Sequence, residues 1–397
     1  MKNLLFFLGG QARPYATVCR KYVTTRRGGL ARPFLYSKHV WSLFFLLCLV
    51  FVCYSSAYSQ TKPKEASYYK KLENKVLQCQ LCPRRCTIPS GGRGFCRVRE
   101  NKDGILYTLV YGKPVALHID PIEKKPLFHF LPSSTAYSIA TAGCNLRCKF
   151  CQNWEISQRS PEEVEYTQLS PEDLIAKVIE SGSPTIAYTY TEPTIFYEYM
   201  LECAKLAKAK GIRNIMHSCG YINEEPLREL AKYLDAANID LKGFTNEYYS
   251  QFSEATLDPV LKSLKILREE GVRLEITCLI LPGYNDDDST IIKMCSWIKD
   301  NLGSDTPLHF SRFFPMYKLT ALCPTPVSTL EKVRQLALGC GLKYVYIGNI
   351  AGHPAENTYC PKCKKILIER KGYFVSQNNL QDGKCKFCGE EIKGVWK

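Results

Sequence analysis

The sequence predicts an α/β chain: a partial or full (β/α) barrel with a cysteine-rich module before it and a cysteine-paired tail after it. Three observations carry this reading. Apolar, β-rich runs alternate with helical stretches from residue 137 to 350. Eleven of the twenty cysteines fall into three tight groups, one at the head of that alternation and one on each side of it. The first sixty residues share neither pattern.

Residues 1–60 read as an address rather than a fold. The first 64 residues hold ten Lys or Arg and no acidic residue, and so supply +10 of the net charge of +15. The run WSLFFLLCLVFVCY (Trp41–Tyr54) is almost wholly apolar, and residues 41–58 together make eighteen. That is the lower edge of the ~20 residues a helical span needs. The expectation is a single-pass membrane anchor over 41–58, with the folded part on a reducing side, in the cytoplasm or an organelle interior. A cleaved signal is one alternative. A transit peptide on a soluble, organelle-targeted protein is another, since RPYATVCRKYVTTRR is basic and free of acids. The other 333 residues carry a net charge of only +5 with no concentrated basic face, which argues against nucleic-acid binding.

Residues 61–76 are polar, a linker. Residues 77–136 open with CQLCPRRCTIPSGGRGFCRVRENKDG, which spaces Cys79, Cys82, Cys86 and Cys96 as C-x2-C-x3-C-x9-C. Four thiolates suit a tetrahedral zinc or an auxiliary iron–sulfur cluster, and the spacing does not choose between them. Paired cysteines in a large chain favour metal over disulfides, and therefore a reducing compartment. ILYTLVYG and ALHID read as short strands.

Residues 137–350 carry the barrel. Its strands are AYSIA, TIAYTY (185–190), RNIMHS (213–218), AANIDL (236–241), RLEITCLIL (273–281), PLHFSRF (307–313) and KYVYIG (343–348). Helices separate them. Ser170–Pro171–Glu172–Asp173 starts one, with a hydroxyl cap, proline in the first turn and acids at the positive end. Gly211 stops the next. Such alternation makes a parallel sheet with helices outside, and its chemistry belongs at the C-terminal ends of the strands.

TAGCNLRCKFCQNW follows the first of these strands. It places Cys144, Cys148 and Cys151 as C-x3-C-x2-C. A cube-shaped cluster wants four thiolates. Three leave one iron open, and an open metal position signals catalysis. S-adenosylmethionine (SAM) can fill it through its amino and carboxylate groups. A zinc site would lack a fourth ligand nearby, and a thioredoxin-like C-x2-C would leave Cys144 without a role.

The three-cysteine loop, with Phe150 before its last cysteine, resembles the radical SAM superfamily. The resemblance implies a [4Fe–4S] cluster on Cys144, Cys148 and Cys151. It also implies reductive cleavage of SAM to a 5′-deoxyadenosyl radical, and hydrogen abstraction from a substrate. An electron donor such as flavodoxin or ferredoxin is implied as well. YTYTEP carries Thr191 and Glu192 to the end of the second strand, where the superfamily holds the SAM amino group, usually with Gly-Gly-Glu. The glycines are absent, so Glu192 alone matches that motif. NIDLKG places Asp240 and Lys242 like the D-x-K of glycyl-radical activating enzymes, which contacts SAM, and LILPGYND resembles the same group. His217 and His309 lie near predicted strand ends and are candidates for contacting substrate. His118, His129 and His353 are open between a role and simple burial.

Residues 351–397 carry Cys360, Cys363, Cys385 and Cys388 as C-x2-C-x21-C-x2-C, which reads as a zinc ribbon with IERKGYFVSQ as its hairpin. Taken together, CQLCPRRC, IDPIEKKPLFHFLP, TAGCNLRCKFCQNWEISQ, YTYTEPT and the tail are similar to the radical SAM enzyme of the AmmeMemoRadiSam system, a relative of pyruvate formate-lyase activating enzymes. That implies Memo-like and AMMECR-type partner proteins. A glycine in a partner protein, a small molecule or a nucleotide is the candidate substrate. The competing class is a non-catalytic, membrane-anchored metal-binding adaptor that docks partners or nucleic acid through the ribbon. An adaptor has no use for an open iron site backed by Glu192, Asp240 and Lys242.

Overall fold

One eight-stranded sheet organises the chain in the computed structural model, which describes residues 63–397. Its strands are β1 (Ala116–Pro121), β2 (Thr135–Ala140), β3 (Thr185–Tyr188), β4 (Arg213–Ser218), β5 (Ala236–Asp240), β6 (Arg273–Ile280), β7 (Leu308–Arg312) and β8 (Val345–Gly348). They pair in chain order. β1 runs antiparallel to β2, and every later pairing is parallel. All seven apolar runs of the alternation are therefore strands. β1 and β8 are free edges, so the barrel is partial. Trp41–Tyr54 and the expected anchor over 41–58 lie outside the described residues. Among the described residues no helix is long and apolar enough to cross a membrane.

The helices are α1 (Pro171–Glu180), α2 (Tyr197–Ala209), α3 (Glu224–Ala231), α4 (Asn246–Ser253), α5 (Asp258–Glu269), α6 (Asp288–Leu302) and α7 (Val327–Gly339). α1 starts as its sequence predicts, with Ser170 Oγ accepting from Asp173 N at 3.1 Å. α5 buries Val260, Ser263, Leu264 and Leu267, one helical face. α4 was not expected. Its sequence, NEYYSQFS, is short, and its local signals are the Thr245 cap and the buried face of Tyr248, Tyr249 and Phe252.

The segment IDPIEKKPLFHFLP forms the floor of the barrel. Ile122, Leu127 and Phe130 pack against Ala136, Ala187, Ile215 and Ala236, near the starts of β2 to β5. The small alanines leave room for the large floor residues. Glu275 on β6 accepts from Phe128 N at 3.0 Å and His129 N at 2.7 Å, and lies 2.7 Å from His309 Nε2 on β7. The Tyr346 hydroxyl on β8 lies 2.7 Å from His129 Nε2. One loop thus contacts strands from β2 to β8, and the sheet curves around it. The tail closes the floor from beneath. Arg370 Nη2 donates to Phe128 O at 2.9 Å, Val395 N donates to His129 O at 2.9 Å, and Trp396 packs on the His129 ring at 5.3 Å.

His129 makes the floor sensitive to acid. It is wholly buried, and burial drives its imidazolium down to about 3. It stays neutral in the fold and takes up a proton on unfolding. The stability it contributes is full above the ordinary histidine value of about 6.5 and is lost as pH falls below it. Between about pH 6 and pH 4 the loss approaches ~1.4 kcal/mol per pH unit. His129→Asn should flatten that slope, which urea unfolding midpoints at about pH 7 and about pH 5.5 would check.

The module before the sheet consists of two small three-stranded sheets between Lys64 and Thr108. The Arg99–Glu198 ion pair, buried on both sides, pins this module to α2.

Candidate functional site

β2 ends at Ala140, and the three-cysteine loop begins on the rim of strand C-termini. Gly143 turns the chain there with φ +93°, and a Cβ on it would sit 2.8 Å from Cys96 O and 2.6 Å from Val98 Cγ1. Only glycine fits that approach. The loop is held by backbone bonds to the unexpected helix. Arg147 N donates to Ser253 O at 3.0 Å and Lys149 N to Phe252 O at 2.9 Å. Cys144 and Cys148 are each 7% exposed, while Cys151 is half-buried. Leu146 N donates to Cys144 Sγ at 3.3 Å. Ser253 Oγ lies 3.4 Å from Cys148 Sγ, and Ser157 Oγ lies 3.2 Å from Cys151 Sγ. Neither serine was marked by the sequence, because a lone hydroxyl carries no spacing signal.

Burial pushes all three thiols up in pKa, and the Lys242 ammonium pulls Cys148 back down. Metal must therefore displace protons to bind here. Among the described residues, no three of these sulfurs close to within 4.8 Å of one another. A single tetrahedral ion would draw thiolates to about 3.8 Å. Three thiols with no fourth ligand beside them are a donor set that suits an iron–sulfur cube with one open iron.

The strand ends gather most of the other predicted residues. Asp240 ends β5, with Oδ2 2.8 Å from Lys242 Nζ and Oδ1 3.1 Å from His217 Nε2. Burial works to raise the Asp240 carboxyl, but Lys242 and then His217 overcome it and hold it well below the usual carboxylate range. Burial likewise works against the Lys242 charge, yet Asp240 holds the ammonium protonated above its usual value. Lys242 Nζ lies 5.6 Å from the centroid of the Phe150 ring, between two of the loop cysteines. Asn285, in LILPGYND, donates to Lys242 O at 2.9 Å and fixes that turn.

Glu192 is completely buried. Its Oε1 accepts from Thr194 N, Thr194 Oγ1 and Ser218 Oγ at 3.1, 2.7 and 2.6 Å, and its Oε2 accepts from Cys219 N at 2.8 Å. It ties the end of β3 to the end of β4. Thr191 Oγ1 donates to Thr141 O at 2.9 Å, so that side chain is spent on the cysteine loop. His309 does not join the site. It is the second residue of β7, in the floor, paired with Glu275. It sits at the start of its strand and not at the C-terminal end, which places it in the floor and away from the rim. His118 lies on β1, edge-on to Tyr190, and His353 caps a short turn by accepting from Ala355 N.

A family profile described as Radical SAM superfamily matches residues 138–295, a stretch that contains the three-cysteine loop, Glu192, Asp240 and Lys242. An uncharacterized protein of Methanocaldococcus jannaschii is 49% identical over 331 residues, covering 83% of this chain and 98% of that protein. The chain belongs to the radical SAM superfamily. It is more distantly similar to the pyruvate formate-lyase-activating enzyme of Staphylococcus epidermidis, 27% identical over 172 residues, covering 41% of this chain and 68% of that one. A solved radical SAM methyltransferase from Sphaerobacter thermophilus superposes with a TM-score of 0.43 at 15% identity, covering 57% of this chain and 71% of that one.

Membership in the radical SAM superfamily implies a [4Fe–4S] cluster and SAM, and the loop geometry suits the cluster. The tail holds a different kind of site. Cys360 and Cys388 sulfurs lie 3.6 Å apart, Cys363 and Cys385 sulfurs 3.7 Å apart, and all four lie within 4.8 Å of one another. A tetrahedron with metal–sulfur bonds of 2.3 Å has edges of about 3.8 Å, so the site can close on one ion, consistent with a zinc ribbon. Its hairpin pairs Ile366–Lys371 with Phe374–Asn378. The Lys365 amide holds the Cys363 thiol down at about 7, while burial pushes the neighbouring Cys360 thiol up to about 12, so an ion must displace protons to bind here as well. The ribbon sits under the floor, at the opposite end of the strands from the three-cysteine loop. Cys79, Cys82, Cys86 and Cys96 line one cavity beside that loop.

Proposed function

We propose that this radical SAM enzyme abstracts hydrogen from a substrate presented at the open rim, and that the substrate class is a backbone glycine of a partner protein. The observation that carries the reading is the three-thiol loop set against the Asp240–Lys242 pair. Its similarity to a pyruvate formate-lyase-activating enzyme supports the substrate class. Cys144, Cys148 and Cys151 would hold three irons of the cluster and leave the fourth for SAM. When bound, cluster and SAM supply one-electron cleavage of a carbon–sulfur bond.

The chain's own residues position and exclude. Burial of Cys144 and Cys148 keeps water from the sulfurs. Lys242 places a positive charge beside Cys148 and steadies the negative charge of a thiolate there. Glu192, wholly buried and met by four donors of the chain, joins the ends of β3 and β4 and so holds the rim on which SAM would sit. Asp240, held ionised, is a second acceptor at the rim. A low-potential donor of the flavodoxin or ferredoxin class would supply the electron, with Memo-like and AMMECR-type proteins as partners. The enzyme would face a reducing compartment. Every cysteine in the described residues is a free thiol, which supports that placement.

The test is anaerobic. The full chain is reconstituted with iron and sulfide, reduced, given SAM and assayed for 5′-deoxyadenosine. The wild type should form it, and Cys148→Ala should fall to background, a loss of at least ~1,000-fold. A reduced, SAM-bound wild-type protein that yields no product would sink the reading and favour an adaptor.

A further inference from the structure

Cys79, Cys82, Cys86 and Cys96 face one small cavity, together with Arg99 and Asn145. Two polar atoms around it lack partners. Arg99 Nε and Asn145 Oδ1 are buried without a hydrogen bond, and each residue is 1% exposed. The first is a buried donor, costly unless an acceptor such as a thiolate or cluster sulfide meets it; the second is an acceptor, which such sulfurs do not satisfy. The sulfurs are also already approached by donors. Phe95 N donates to Cys86 Sγ at 3.4 Å, and Arg99 Nη1 lies 3.9 Å from Cys79 Sγ. Both contacts would strengthen on a thiolate.

The contrast with the ribbon favours one occupant. Among the described residues, only the ribbon cysteines form a group of three or more lying within 4.8 Å of one another. The ribbon is closed for a single ion, and the Cys79 group is not. A single tetrahedral zinc draws its sulfurs to about 3.8 Å, whereas a cube seats each thiolate on a different iron and needs a wider cage. We propose that Cys79, Cys82, Cys86 and Cys96 hold a second [4Fe–4S] cluster, bound by protein at all four corners. Full thiolate ligation leaves no open iron, so this centre carries electrons and does not bind SAM.

The two cysteine loops share a wall. Asn145 lines the second cavity and directly follows Cys144. Arg84 Nε donates to Asn145 O at 2.5 Å, and Arg147 donates to Phe95 O. The guanidinium groups of Arg84 and Arg147 lie 3.5 and 3.9 Å from the Phe95 ring centroid, next to Cys96. These cations offset the negative charge of a thiolate-bound cluster. The second site stands on its own geometry; only the role of its neighbour rests on the proposed function.

Metal content tests it without any turnover. The full chain and its Cys144→Ala/Cys148→Ala/Cys151→Ala variant are purified without oxygen and analysed for iron, sulfide and zinc, with Mössbauer spectra. The variant should keep about half the wild-type iron, as a [4Fe–4S] signal. A variant with no iron, or with a second zinc beyond the ribbon's, overturns the proposal. Should the variant be insoluble, the wild type decides. About eight cluster irons per chain support the proposal, and about four with two zincs overturn it. Eight irons with no 5′-deoxyadenosine would sink the proposed function and leave the second cluster standing.

Discussion

Lys242→Met is expected to cost both stability and activity, for reasons that can be separated. Lys242 is 8% exposed and is the strongest favourable charge on Asp240. Removing it strands a carboxylate among burying side chains and the Cys148 and Cys219 thiols. Breaking a fully buried pair typically costs about 3–5 kcal/mol, and the expected loss lies below that, at about 2 kcal/mol, because the Asp240 side chain is 24% exposed and His217 stays beside it. Urea unfolding of the metal-free chain would measure it. The acid dependence has a fixed sign. Asp240 is held below the usual carboxylate range, so its stabilisation is full above the unfolded value of about 3.9 and is lost as pH falls through the folded one. The variant should therefore lose less stability than wild type on acidification below about pH 4. Asp240→Leu combined with Lys242→Met should recover much of the stability, since a packed apolar pair often replaces a buried ion pair without penalty. Neither variant should regain activity, and both should fall at least ~100-fold in 5′-deoxyadenosine formation. Recovery of activity in the double variant would make the pair purely structural.

Cys385→Ser should release the tail and open the floor while leaving the rim intact. A structural zinc contributes on the order of 10 kcal/mol in isolated fingers, so losing one ligand should unfold the ribbon locally. The floor would then lose the Arg370 contact to Phe128 and the Val395 and Trp396 contacts to His129. The expected result is loss of about one zinc per chain, a red shift in the tryptophan fluorescence and a thermal midpoint lower by roughly 10 °C or more. Iron at Cys144, Cys148 and Cys151 should stay within a few per cent of wild type. Loss of rim iron along with zinc would mean the two ends are coupled.

Much of this molecule was legible in the sequence because its signals are local. The parallel strands announce themselves as short apolar runs, and the Ser170 cap and Gly211 stop mark helix ends on adjacent residues. The cysteine spacings define ligand sets without tertiary information. The rest depends on contacts far apart in sequence. The α4 helix is short, and its contacts to the site, two carbonyls that hold residues 147 and 149 and the Ser253 hydroxyl beside Cys148, are set by the fold and not by local spacing. Glu192 reads as a ligand residue, yet it also ties two strands together, which no spacing reveals. His309 looked like a strand-end residue because its strand begins with it nearly in place, and only the register puts it in the floor. β1 was visible as ALHID, but its antiparallel place on the sheet edge was not.

The floor has a consequence for how the chain reaches its native state. His129 Nδ1 meets Lys393 O across 264 residues of sequence, and Arg370 meets Phe128 across 242. Contacts so distant repay the entropy of closing their loops only after the strands between them have assembled. Folding should therefore run from the local β–α units inward and finish at the floor, as a slow late phase. Until the tail docks, the apolar surfaces of Phe128, Phe130 and Trp396 would be open to self-association, so the refolding yield should fall with protein concentration and rise when zinc is present from the start.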